Sequence, residues 1–178
     1  LLLILLCLAA PLLAARQHSV VVLHSYHQGF PWTDRIQEGL EESLRPFGTG
    51  IDLSVEYLDA KRNPLGGPCD AAMAELYRAK YARLRPDVVV VSDNAALSFV
   101  LKNREALFGA VPIVFCGINN FEPSLLGGAV DITGVSEDPE IAGTIAAAFR
   151  ITGASSLVLI TDSTQTGLGN PAVDLTAP

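Results

Sequence analysis

Val88-Val89-Val90-Val91-Ser92-Asp93-Asn94-Ala95-Ala96-Leu97 passes from four valines, through three polar residues, into a run of good helix formers. Four β-branched residues with no polar interruption predict a strand buried on both faces, the mark of a parallel sheet. Residues 94–108 then place Leu97, Val100, Leu101 and Leu107 on one helical stripe. Such sheets bind ligands outside the carboxyl ends of their strands, so the polar triplet is also the first place to look for a site.

The same alternation extends in both directions. Val20-Val21-Val22-Leu23 is a short apolar run, and within residues 33–44 Ile36, Leu40 and Leu44 recur every fourth position. Residues 51–58 alternate at period two, residues 70–84 are alanine-rich, and Ile113-Val114-Phe115 follows Pro112 and closes at Gly117. Strands near 20–24, 51–58, 88–92 and 113–116 separated by helices predict a doubly wound α/β fold. Right-handed crossovers then order the parallel sheet 2-1-3-4. Further on, residues 132–135 form a short extended piece. Asp138 and Pro139 supply an N-cap and first-turn proline for a helix through Phe149, and Leu157-Val158-Leu159-Ile160 begins another strand. Residues 164–178 lack periodicity.

At 178 residues, 49% hydrophobic and 17% charged, the chain is long and apolar enough for a packed core, which excludes a disordered tail or a disulfide-stapled miniprotein. Its net charge of −7 argues against nucleic acid as a partner. Residues 1–15 are apolar throughout and end in Leu13-Ala14-Ala15 before Arg16-Gln17-His18-Ser19. They read as a secretory signal or the end of a membrane anchor, and the membrane is expected to matter only through that segment. Cys7 follows Leu6 rather than a small residue, which disfavours a lipid anchor. Cys69 and Cys116 make no disulfide framework and are expected to be free thiols.

The residues just past the strands are polar and aromatic. After the first come His24, Ser25, Tyr26, His27, Phe30 and Trp32, after the second Asp59, Lys61 and Arg62, after the third Ser92, Asp93 and Asn94, and after the fourth Asn119 and Asn120. Tyr26 and Trp32 are candidate stacking surfaces for a small ligand. The alternative for Phe30 and Trp32 is that they staple the first helix to the core with Thr33 as its cap. Ser92 to Asn94 cap the third helix and offer its amides to an anionic or amide group. Lys61 and Arg62 are expected to face solvent. His24 and His27 lack the companions of a metal site, no cofactor motif is found, and no nucleophile elbow, Walker or dinucleotide pattern is present. The expected ligand-binding set is therefore Ser25, Tyr26, Trp32, Ser92, Asp93, Asn94 and Asn119, with no catalytic residue and no metal.

The stretch from Val21 to Thr33, with Val55 to Arg62, Pro86 to Asp93 and Val111 to Asn119, resembles the ABC transporter substrate-binding-protein-like family. It looks most like the members that form extracytoplasmic sensor regions of bacterial histidine kinases and diguanylate cyclases. The resemblance implies a periplasmic-binding-protein fold whose two lobes clamp a small, amino-acid-like solute. Residues 16–130 would be lobe one and residues 131–178 the incomplete start of lobe two. It also implies either a fused signalling domain or an ABC permease as partner. Three functions follow: the sensor input region, a free periplasmic binding protein, or, setting the resemblance aside, an α/β enzyme of unknown reaction. Removal of residues 1–15 on export separates the first two from the third, and the downstream coding sequence separates sensor from transporter.

Overall fold

The computed structural model describes residues 16–137, 140–158 and 160. The signal or anchor expected at 1–15, with Cys7, therefore lies outside the described residues, as do Asp138, Pro139 and the tail from 161. Five strands form one all-parallel sheet: β1 (His18–His24), β2 (Ile51–Tyr57), β3 (Val88–Ser92), β4 (Ile113–Asn119) and β5 (Ile132–Glu137), in the spatial order β2-β1-β3-β4-β5. The helices are α1 (Pro31–Leu44), α2 (Pro68–Tyr81), α3 (Asp93–Leu107) and α4 (Ile141–Thr152). The doubly wound α/β class and the 2-1-3-4 order expected from the apolar runs are found, and residues 132–137 extend that same sheet as its fifth strand.

Pleating explains how one run of valines serves two layers, because successive side chains point to opposite faces. Val21, Leu23, Val89, Val91, Ile113 and Phe115 join Tyr77 and Tyr81 of α2 and Leu97, Phe99 and Val100 of α3 in the main core. On the other face Val20 and Val22 are buried, and His24, Ser92 and Cys116 fall in register across β1, β3 and β4. Beyond β4 the cover thins: Val114 is 37% exposed, Val135 69%, and α4 has no buried residue. Arg104 of α3 ties Asp131, at the start of β5, to the body of the fold.

Three local expectations are corrected. Thr33 does not cap α1: the helix begins two residues earlier, Phe30 is its N-cap, Pro31 opens it, and Thr33 is buried within the first turn. Pro31 is the physical cause, since its fixed φ suits the first helical position and its missing N–H costs nothing there. The fourth helix is capped by Glu140, whose side chain accepts from the Gly143 N–H, so the helix begins at Ile141 and runs to Thr152. Residues 157, 158 and 160 take no strand conformation, and Val158 and Ile160 stay 86% and 90% exposed; no paired strand lies beside them among the described residues.

Strand β4 also runs further than its apolar run suggests. Gly117 adopts φ +67 and shifts the register between Cys116 and Ile118, so the strand continues through a bulge to Asn119 instead of closing. Only glycine holds that φ without strain.

Candidate functional site

The chain order turns back on itself between β1 and β3: β2 lies to one side of β1, and β3, β4 and β5 lie to the other. The loops leaving β1 and β3 therefore part at a topological switch point, where open parallel sheets place their ligands. Every residue of the expected set lies on this edge.

Ser25 is completely buried, and its hydroxyl has two tasks. It donates to the Ser92 carbonyl at 2.7 Å and accepts from the Ala96 N–H at 2.7 Å. The N-cap residue of α3, Ser92, makes no side-chain cap bond, so the cap of α3 comes from the loop after β1. Ser92 is occupied elsewhere. Its Oγ lies 2.8 Å from His24 Nδ1, while His24 Nε2 lies 2.8 Å from Gln37 Oε1. Gln37 gives its amide N–H to Glu41, which turns Oε1 toward the histidine. His24 thus donates through Nε2 and accepts the Ser92 proton at Nδ1. Burial holds its pKa below the ordinary 6.5, against the pull of Gln37 and Asp34.

Asn94 pairs its side-chain amide with a backbone peptide, donating to the Asn119 carbonyl and accepting from the Asn119 N–H, each at 3.0 Å. The amide acts as one more rung of the β3–β4 ladder and holds the mouth of α3 against the end of β4. Replacing Asn94 with Ala removes both bonds. Urea unfolding should show a loss of about 1–2 kcal/mol; a loss within experimental error would show the clamp to be incidental.

Asp93 is held differently. It begins α3 at φ +66, a left-handed conformation uncommon outside glycine, and only 3% of it is exposed. Its Oδ1 accepts the Trp32 indole N–H at 2.9 Å, whereas its Oδ2 is buried with no hydrogen-bond partner. Burial pushes its pKa up to about 6, with Glu137 adding to the rise and Trp32, Ser92 and Lys61 opposing it. Trp32 is 42% exposed. Its ring passes over Gly117, where a Cβ would meet both Trp32 Cζ2 and Asp93 Oδ1 within 4 Å.

Tyr26 is nearly buried and meets Phe30 edge to face, with ring centroids 5.2 Å apart. Lys61 is exposed, as expected, yet its ammonium sits 4.9 Å from the Tyr26 ring and 5.1 Å from Phe30, so it belongs to the site edge through its contacts. Arg62 pairs with Asp59, and His27 lies 3.3 Å from the same carboxylate. Cys116 sits one strand over, its thiol pushed up to about 11 by burial and by Asp93, and both Cys69 and Cys116 are free thiols. Of the seven expected residues, Ser25, Ser92 and Asn94 spend their polar atoms inside the protein, and Asn119 contributes its backbone. Trp32 and Asp93 keep a face or an atom uncommitted. Sequence reasoning turned Lys61 to solvent, took Gly117 for the end of a strand and did not single out Glu137; their parts at this edge depend on tertiary contacts.

A separate cavity of about 600 Å³ opens at the opposite end of the sheet, where Arg85, Asp87, Phe108 and Pro112 surround the entries of β3 and β4.

The comparisons bear on the fold alone. No protein-family model and no curated protein matches the chain. Among solved structures, a conserved domain protein from Vibrio cholerae O1 biovar El Tor is similar over 78% of this chain and 45% of its own length. Identity is 16% and the TM-score 0.55. The chain thus spans less than half the length of that neighbour, and the likeness supports the α/β architecture.

Proposed function

We propose that this chain is the first lobe of an extracytoplasmic domain that binds a small organic solute, serving as the input region of a signalling protein of the histidine kinase or diguanylate cyclase type. One observation carries the reading: the ends of β1, β3 and β4 meet at the switch point around a half-exposed indole and a buried carboxylate that is not fully bonded. The rest of that edge is braced by Ser25, His24, Ser92 and Asn94, so its geometry is set before any ligand arrives. A solute that touches two lobes stabilises their closed arrangement by its differential affinity, and that closure is the signal.

Thermal denaturation of the whole extracytoplasmic region with amino acids, amines, short peptides and purines tests this. A ligand at 100 times its dissociation constant adds about 2.7 kcal/mol, which for a domain of this size is about 5–10 °C in Tm. At least one solute should produce such a shift without being consumed. Turnover of the hit would assign the edge to an enzyme, and a flat response across the panel would remove the solute-binding reading.

A further inference from the structure

We propose that the Asp93 carboxylate is the acceptor for a cationic N–H donor on the ligand, an ammonium or amidinium carried on a flat apolar body, admitted by movement of the Trp32 indole that lies across it. This rests on the solute-binding reading above and names the polarity of the ligand it requires.

Asp93 carries an unmade hydrogen bond. A buried carboxylate oxygen without a donor costs free energy, and a donor from outside the chain would recover it. Asp93 is 97% buried by its 3% exposure, and Oδ2 has no partner. Ser92, whose side chain pulls the Asp93 pKa down, gives Oδ2 no bond of hydrogen-bonding geometry. Its proton is committed to His24 by the chain running through Gln37 to Glu41.

A helix N-terminus ordinarily attracts an anion, but the first residue of α3 is itself a carboxylate, so the negative charge is already in place. The charges bearing on it from neighbouring elements are Lys61, after β2, and Glu137, on β5; His24 is buried and held neutral in the Gln37–Ser92 chain. Lys61 opposes two acids, which leaves a negative balance. A ligand carboxylate would meet that balance unfavourably, whereas an ammonium would complete it and satisfy Oδ2 with a charge-assisted bond.

Trp32 is the exposed side chain hydrogen-bonded to Asp93. Its indole N–H occupies Oδ1 in the same manner that a ligand N–H would occupy Oδ2. Gly117 leaves the space beside the ring free of a side chain. An indole moving off Asp93 releases Oδ1 beside the unpaired Oδ2 and offers its own face for stacking and for cation–π contact.

The test uses phenethylamine, benzamidine, phenylacetate and benzyl alcohol against the intact extracytoplasmic protein, by calorimetry and by tryptophan emission. Trp32 is the single tryptophan of this chain, and a Trp32→Phe variant subtracts any signal from elsewhere. The cations should bind and change the Trp32 emission, phenylacetate and benzyl alcohol should bind far more weakly, and Asp93→Asn should weaken cation binding at least about 30-fold while remaining folded. Binding of phenylacetate in preference to the amines, or cation affinity unchanged in Asp93→Asn, would overturn the assignment and leave the solute-binding reading standing. If neither these probes nor the wider solute panel binds, the solute-binding reading fails and this inference fails with it.

Discussion

Asp93→Asn should stabilise the protein at pH 7 while removing its ligand affinity, an opposition expected of a residue kept for function at the expense of the fold. The sign follows from the titration. Burial raises the folded-state pKa from 3.8 to about 6, so between these values the folded chain holds a proton that the unfolded chain has lost. Protonation then favours the fold, and stability falls as pH rises through that window. Above about pH 6 the ionised carboxylate costs the folded state its full penalty, about 3 kcal/mol from a shift near two units. Asparagine keeps an oxygen for the Trp32 N–H and carries no charge. Its gain should be about 1–3 kcal/mol at pH 7, because the new amide N–H group also needs a partner. That gain should shrink as pH falls through the window and approach zero near pH 3, below both pKa values, where the wild-type carboxyl is largely protonated in both states. Urea unfolding at the two pH values reads this directly. An equal effect at both would show that the carboxylate charge is not what strains the site.

The second large effect falls on a residue with the opposite character. Ser25→Ala should destabilise the fold by about 2–3 kcal/mol, since it strips the cap from the Ala96 N–H in a fully buried setting and also removes a donor to the Ser92 carbonyl. Because the cap reaches α3 from the loop after β1, its loss should loosen the two strand ends that frame Asp93. Ligand affinity should then fall together with stability. A variant that unfolds at the wild-type urea concentration would show that water replaces the serine without cost. The contrast between the two substitutions is diagnostic: in one, affinity and stability move apart, and in the other they move together.

Tyr26 and Lys61 show why some of the site was legible and some was not. An aromatic residue one position past Ser25 on a strand-end loop draws notice from sequence because that position is already a place for ligands. Lys61 reads as solvent-facing, since a lysine in a charged loop is ordinarily solvated. Only the approach of the loop after β2 to the loop after β1 sets its ammonium on the Tyr26 and Phe30 rings. Gly117 is similar. Its position after an apolar run reads as the end of a strand, but pairing with β5 carries β4 on to Asn119 through a bulge.

Sequence by itself determined the parallel α/β class, the places of the first four strands and the edge of the sheet on which to look. Continuous valine runs can be buried only between two helical layers, and the alternation of strand and helix leaves few topologies. It also singled out the residues of that edge, because strand-end positions follow from chain order alone. Tertiary structure decided what those residues do. Ser25, Ser92 and Asn94 carry side chains as polar as any ligand contact, yet their partners lie 67, 68 and 25 positions away and consume their hydrogen-bonding capacity. Asp93 differs from them by one oxygen left unpaired. Whether a polar atom is spent or free depends on which distant groups the fold brings within about 3 Å of it, and no local pattern along the chain carries that information.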